Sequence, residues 1–304
     1  MVATELMYLI FAYGIPLEIL YILLMLALFG GDPVPGSHSS FYVILLFAAI
    51  TDVFTWLISI MTYRLVLFKP FDDFFHEYET DWTTSLIYGG TFLLCSARDF
   101  SLVALALNRL TSMLYNVKTW APRSIALIFI LCPLIGIACS FFNFDTNVEY
   151  QRVPMGNGSY IYFMLLDESN REWLKEPSVI LGWTGFTYAA MLVIYLCIGF
   201  HLLFGGIHPE TERREYKLTM IAFFIFCANT GFLGNQIMGY LIDRDDMVEA
   251  LKAVREGAPL IPYVFDARIF VVPLCMFVLD SDIRRKMLGM IGMGGKLDSG
   301  NSVA

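Results

Sequence analysis

Six ionisable residues stand inside long apolar runs: Glu18, Asp52, Arg98, Asp99, Asp266 and Arg268. A charge in an apolar interior needs a partner, a ligand or an ion, because its desolvation is costly. Four acids and two bases suit a buried polar network, and two readings of it stand. In one, the network contacts a ligand or ion and couples it to a switch. In the other, it pairs helices and holds a bundle together. Arg98 and Asp99 are adjacent, point about 100° apart on a helix, and are not expected to face one partner. Arg64 closes an apolar run and is expected to snorkel to the membrane surface without further function. A second constellation is Asn108-Arg109, where a long apolar segment ends in 108-NRLTSMLYNVKTW-120. Arg109 there is either a helix-bridging switch or a charge anchor. Its expected partners are Asp280 and Glu215, and its side chain is expected to be partly hydrated.

Other chemistry is missing. The four histidines are scattered, and no HExxH, GxSxG, P-loop or GxGxxG is present. All six cysteines fall within apolar runs, where they read as small buried hydrophobes. No cofactor and no metal is expected, and an enzyme is disfavoured. Net charge is −8 with no basic run, so nucleic acid is not an expected partner.

The elements that must carry these charges are membrane helices. The chain is 57% hydrophobic and 16% charged, with mean hydropathy +0.63. Soluble domains average about 45–50% apolar and about 25% charged. Seven apolar segments span approximately 6–29, 41–68, 83–108, 124–142, 178–204, 218–242 and 259–279. Each approaches or exceeds the ~20 residues that cross a bilayer. Long membrane strands with period-2 alternation are not found, which leaves helices. The fold class is therefore an all-α, seven-transmembrane helix bundle. It divides into a receptor domain over 1–279 and a cytoplasmic tail over 280–304. The first span is expected to remain as a signal anchor, since residues 1–5 carry no base.

Orientation follows from the bases. With the N-terminus outside, inner segments hold ten lysines and arginines, among them Lys118, Arg213 and Arg214, against seven in outer segments. The sequon at Asn157 lies in the loop over 143–177, which is then external and open to glycosylation. The tail offers Asp280-Ser281-Asp282 as a helix cap, followed by Ile283, Met287, Met290 and Ile291 at helical spacing. This predicts a short amphipathic helix on the inner membrane face. Aromatics of spans 5 and 6 (Trp183, Phe186, Tyr188, Phe223, Phe224, Phe226) read as pocket lining, core or lipid-facing surface.

Taken in span order, four stretches resemble the nematode serpentine receptors of the class gamma superfamily, with the gamma and V classes nearest. These are 13-YGIPLEILYILLMLALF-29, 52-DVFTWLISIMTYRL-65, 108-NRLTSMLYNVKTW-120 and 273-PLCMFVLDSDIRR-285. The third is the most specific. The resemblance implies a chemosensory-type receptor at the plasma membrane that transduces an unknown external ligand to a heterotrimeric G protein. Asn108, Arg109, Lys118, Arg213 and Arg214 would then face the G protein. The chain departs from common receptor patterns. It lacks the cysteine pair between span 3 and the 143–177 loop, an Asn-Pro-x-x-Tyr sequence and a Trp-x-Pro in span 6. The alternative is an ion- or solute-conducting protein that uses the mid-membrane acids.

Overall fold

The computed structural model describes residues 2–29, 40–65, 69–71, 74, 82–115, 120–144, 148–154, 160–166, 176–204, 209–244 and 261–292. Eight α-helices occur among them. They are α1 (Val2–Phe29), α2 (Ser40–Ser59), α3 (Trp82–Tyr115), α4 (Pro122–Phe144), α5 (Glu176–Phe204), α6 (Pro209–Arg244), α7 (Ile261–Leu279) and α8 (Ser281–Met290). Five of them, α1 to α5, are long and apolar enough to cross a membrane.

Burial is inverted relative to a water-soluble protein. Ile15, Ile19, Ile22 and Leu26 of α1 face outward, as do Leu127, Ile130, Leu134 and Ile137 of α4 and Phe186, Leu196, Phe200 and Leu203 of α5. Arg64, Arg98, Arg109 and Arg268 are among the largest fully buried side chains. Apolar outside and charged inside is the arrangement a hydrocarbon solvent favours.

α3 is the axis of the bundle and packs against α2, α4, α5 and α6. Its contact with α4 is close at Gly136, where a Cβ would lie 2.6 Å from the Leu93 carbonyl oxygen. A glycine lets the two backbones approach, as small residues do between membrane helices. α7 packs on α1, α2 and α6, and α8 returns to α1. The apolar core joins Tyr21, Leu24, Phe41, Leu45, Leu105, Ile221, Ile225 and Phe270.

α2 does not stop at Ser59 but widens into a π turn over Ile60–Arg64. The Leu65 amide donates to the Ile60 carbonyl, five residues back. In an α-helix a residue five positions on lies about 140° around the axis. In a turn closed by i→i+5 bonds it lies much nearer the same face, so Arg64 follows Ser59 into the bundle.

The chain is not purely helical. Val148–Pro154 (β1) and Tyr160–Leu166 (β2) form an antiparallel hairpin, with Val148 opposite Leu166 and Pro154 opposite Tyr160. The sequence reading treats 143–177 as loop. Strands of seven residues each are shorter than those that cross a bilayer, although Tyr160–Leu166 is rich in aromatic and β-branched types.

The amphipathic helix after α7 is present. Asp280 caps α8, its carboxylate accepting from the Asp282 and Ile283 amides, both at 3.1 Å. Its apolar face divides, however. Ile283 and Met287 are buried in the bundle, while Met290 and Ile291 are exposed.

Candidate functional site: a buried charge network with an enclosed arginine

α2 places Asp52 inward on a polar stripe whose other members satisfy themselves locally. Thr51, Thr55 and Ser59 donate to carbonyls three or four residues back, at 2.7, 2.6 and 2.8 Å. That leaves the Asp52 carboxylate for other helices. Tyr21 of α1 donates to it at 2.5 Å, and the Arg98 Nε of α3 donates to its second oxygen.

Arg98 is the hub and is fully buried. Its Nη1 donates to the Asn229 side-chain oxygen of α6, and its Nη2 donates to the Arg268 carbonyl of α7 at 2.5 Å. Arg268 donates from Nε to the same Asn229 oxygen at 3.1 Å and from Nη2 to Asp99. Asn229 anchors its own amide on the Ile225 carbonyl at 2.6 Å. Five helices, α1, α2, α3, α6 and α7, thus meet through two arginines, two aspartates, a tyrosine and an asparagine.

A second cluster joins the π turn to α7 and α1. Arg64 donates to Asp266 and to Ser59, and Tyr13 donates to the other Asp266 oxygen. The Arg64 guanidinium also lies 5.6 Å from the Trp56 ring centre. Arg64 is 0% exposed, which overturns the snorkelling expectation. The π turn is the reason, since regular helix geometry would have carried the side chain outward.

The network corrects the expectation about Arg98 and Asp99. Both reach Arg268, one on its carbonyl and the other on its guanidinium. An arginine presents separate main-chain and side-chain groups several ångströms apart, so adjacent residues that diverge can still share it. Glu18 lies in the same region and is 8% exposed, but neither of its carboxyl oxygens has a hydrogen-bond partner. Asn229, Tyr13 and Tyr21 were not expected from sequence. An amide in the apolar run of span 6 is the available signal for Asn229, shared there with Asn235 and Gln236.

At the other end of α3, Arg109 is 1% exposed and Asn108 fully buried. Arg109 donates to the Asn108 side-chain oxygen at 2.7 Å, and its guanidinium lies 4.5 Å from the Phe41 ring centre. The partly hydrated arginine of the sequence reading is instead enclosed, because Phe41 in the first turn of α2 lies directly against it. The neighbouring Tyr42 donates to Asp280 at 2.8 Å, and Ser40 accepts from the Trp120 amide. Trp120 in turn donates from its indole to Thr111 of α3 at 2.8 Å. The first turn of α2 therefore clasps α3, the α3–α4 connection and the α7–α8 junction. Of the inner candidates, Lys118 lies outside the described residues. Arg213, Arg214 and Glu215 fall within α6, with their side chains outside the description. Asn157 also lies outside it.

The aromatics of α5 and α6 divide. Tyr188 is buried and packs near Phe226, whereas Phe186, Phe223 and Phe224 face outward. All six cysteines are free, and among the described residues no group of three His, Cys, Asp or Glu side chains is arranged to hold a metal ion.

The bundle thus has an apolar exterior, ion pairs in its interior and an arginine enclosed at the end of its third helix. No curated protein matches the chain. The family model described as Srg family chemoreceptor matches residues 7–287, from within α1 into α8. The chain belongs to this nematode serpentine receptor family of the gamma class, and is a chemosensory membrane receptor.

Proposed function

We propose that this receptor spans the plasma membrane seven times with its N-terminus outside, and that α1 to α7 are the spans. A ligand entering between the helices from outside shifts the bundle between two packings, and a heterotrimeric G protein reads the change at the inner face. Residues 1–279 form the receptor unit and 280–304 the cytoplasmic tail. Asn108, Arg109, Lys118, Arg213 and Arg214 lie on the G-protein side.

The observation that carries this reading is the continuity of polar contacts across five helices, with Arg109 enclosed at the inner end of α3. Such a network has few alternative arrangements, so disturbing one member favours a different packing rather than a graded adjustment. Conduction is the weaker alternative. Each of Asp52, Asp99 and Asp266 is tied to an arginine, which opposes cation passage along them.

The test is expression in cells with a panel of external compounds and a second-messenger readout. Wild type is expected to respond to at least one compound without carrying current. Arg109→Ala is expected to reach the surface and bind that compound with its signal abolished. It should also unfold at a lower temperature, since Asn108 loses a partner in the interior. Normal signalling by Arg109→Ala would make Arg109 an anchor and reject its role as a switch.

A further inference from the structure

Apart from Arg109 at the far end of α3, the buried charges leave one group over. Arg64, Arg98 and Arg268 are matched by Asp266, Asp52 and Asp99, one ion pair each. Glu18 is a fourth buried acid with no arginine of its own, and both its oxygens are unpartnered. It lies on α1 one turn from Gly14, where a Cβ would lie 3.3 Å from the Trp56 ring, and three residues from Tyr21, which holds Asp52.

The charges whose fields reach Glu18 are Asp52 and Arg64 from α2 and Asp266 from α7. Its titratable neighbours on α1 are Tyr13 and Tyr21, and their hydroxyls are already given to Asp266 and Asp52. α8 also packs on α1 and carries Asp282, Arg284, Arg285 and Lys286. A carboxylate at Glu18 would therefore face two aspartates and one arginine that is already committed to Asp266. An ionised carboxylate without a donor or counter-ion is too costly to bury, and such a group neutralises instead.

We propose that Glu18 is a proton-binding site of the bundle, occupied in the arrangement described here, and that release of its proton loosens the contact of α1 with α2 and α7. One positive charge is needed to complete the network, and among the described residues no group of three His, Cys, Asp or Glu side chains gathers to take it as a metal ion. The carboxyl accepts the proton on one oxygen from water as helices part, and returns it by the same route. Acid then favours the arrangement with Arg109 enclosed, and alkali opposes it. That consequence for signalling rests on the receptor reading above; the proton site does not.

The test uses the full chain in lipid nanodiscs, with protons as the only probe. Infrared spectra with isotope-labelled glutamate should show an un-ionised glutamic carboxyl band in wild type that is missing from Glu18→Gln. The thermal midpoint of wild type should fall as pH rises, with the equilibrium favouring the closed packing dropping by up to about tenfold per pH unit where one proton is lost. Glu18→Gln, which keeps the neutral shape, should lose that dependence. Equal pH profiles in the two proteins would overturn the proposal. So would a midpoint that follows sodium in place of choline in wild type but not in Glu18→Gln, since the missing charge would then be a metal ion. Should Glu18→Gln fail to fold, absence of the glutamic band from wild type overturns the proposal and its presence supports it. None of these readouts needs a ligand or a signal, so their failure and that of the receptor reading are separable.

Discussion

Arg64 and Asp266 illustrate how a buried pair behaves as a unit. Each is nearly without exposure, and each would be stranded by loss of the other. Breaking such a pair from one side costs about 3–5 kcal/mol, whereas replacing both partners with apolar residues is often close to neutral. Arg64→Leu and Asp266→Leu should each lower the thermal midpoint of the purified receptor markedly, and the double variant should recover much of the loss. Additive losses would mean that the pair is not coupled. Asn229 behaves differently because it is neutral. One oxygen accepts from two arginines and is the link from α6 to the hub. Asn229→Leu should leave both donors without that acceptor and weaken the hold on α6. The expected outcome is signalling without ligand in a second-messenger assay, at surface expression near that of wild type. Asn229 was legible as a polar residue in an apolar run. Its two partners were not, because they lie 131 and 39 positions away.

At the scale of elements, the π turn and the α3–α4 contact each depend on one local feature. The π turn decides that Arg64 faces inward, and no residue between Ile60 and Arg64 announces it. Period arguments assume 3.6 residues per turn throughout, so they place Arg64 on the wrong face. The α3–α4 contact depends on Gly136. Gly136→Ala would drive a methyl group onto the Leu93 carbonyl, and the backbones must separate. Overpacking of this kind costs about 1–3 kcal/mol. Gly182→Ala on α5 meets nothing within 4 Å and should be neutral or slightly stabilising. Thermal unfolding of the two variants in one lipid system checks the contrast. α8 was legible in detail, because Asp280 and the spacing of Ile283 and Met287 are local signals that need no knowledge of other helices. Burial of those two residues against the bundle, with Met290 and Ile291 left outside, is a tertiary outcome.

For the whole molecule, orientation is the property most open to a direct check. With the N-terminus outside, Asn157 should be glycosylated in eukaryotic cells. Wild type should migrate faster after glycosidase treatment, and Asn157→Gln should match the treated form. Glycosylation of a sequon added to the tail, with Asn157 unmodified, would reverse the orientation. The amino-acid sequence alone determined the membrane class, the helical character and the family resemblance, because hydropathy and short motifs are sums over neighbouring residues. It also identified Glu18, Asp52, Arg98, Asp99, Asp266 and Arg268 as charges that need an explanation, because the cost of burying charge does not depend on the partner. Only the tertiary structure decided which acid meets which base. It brought Arg64 into the network, enclosed Arg109 behind Phe41 and left Glu18 without an arginine. Partner choice depends on helix phase, crossing and depth, and a single extra residue in one turn changes all three beyond that point.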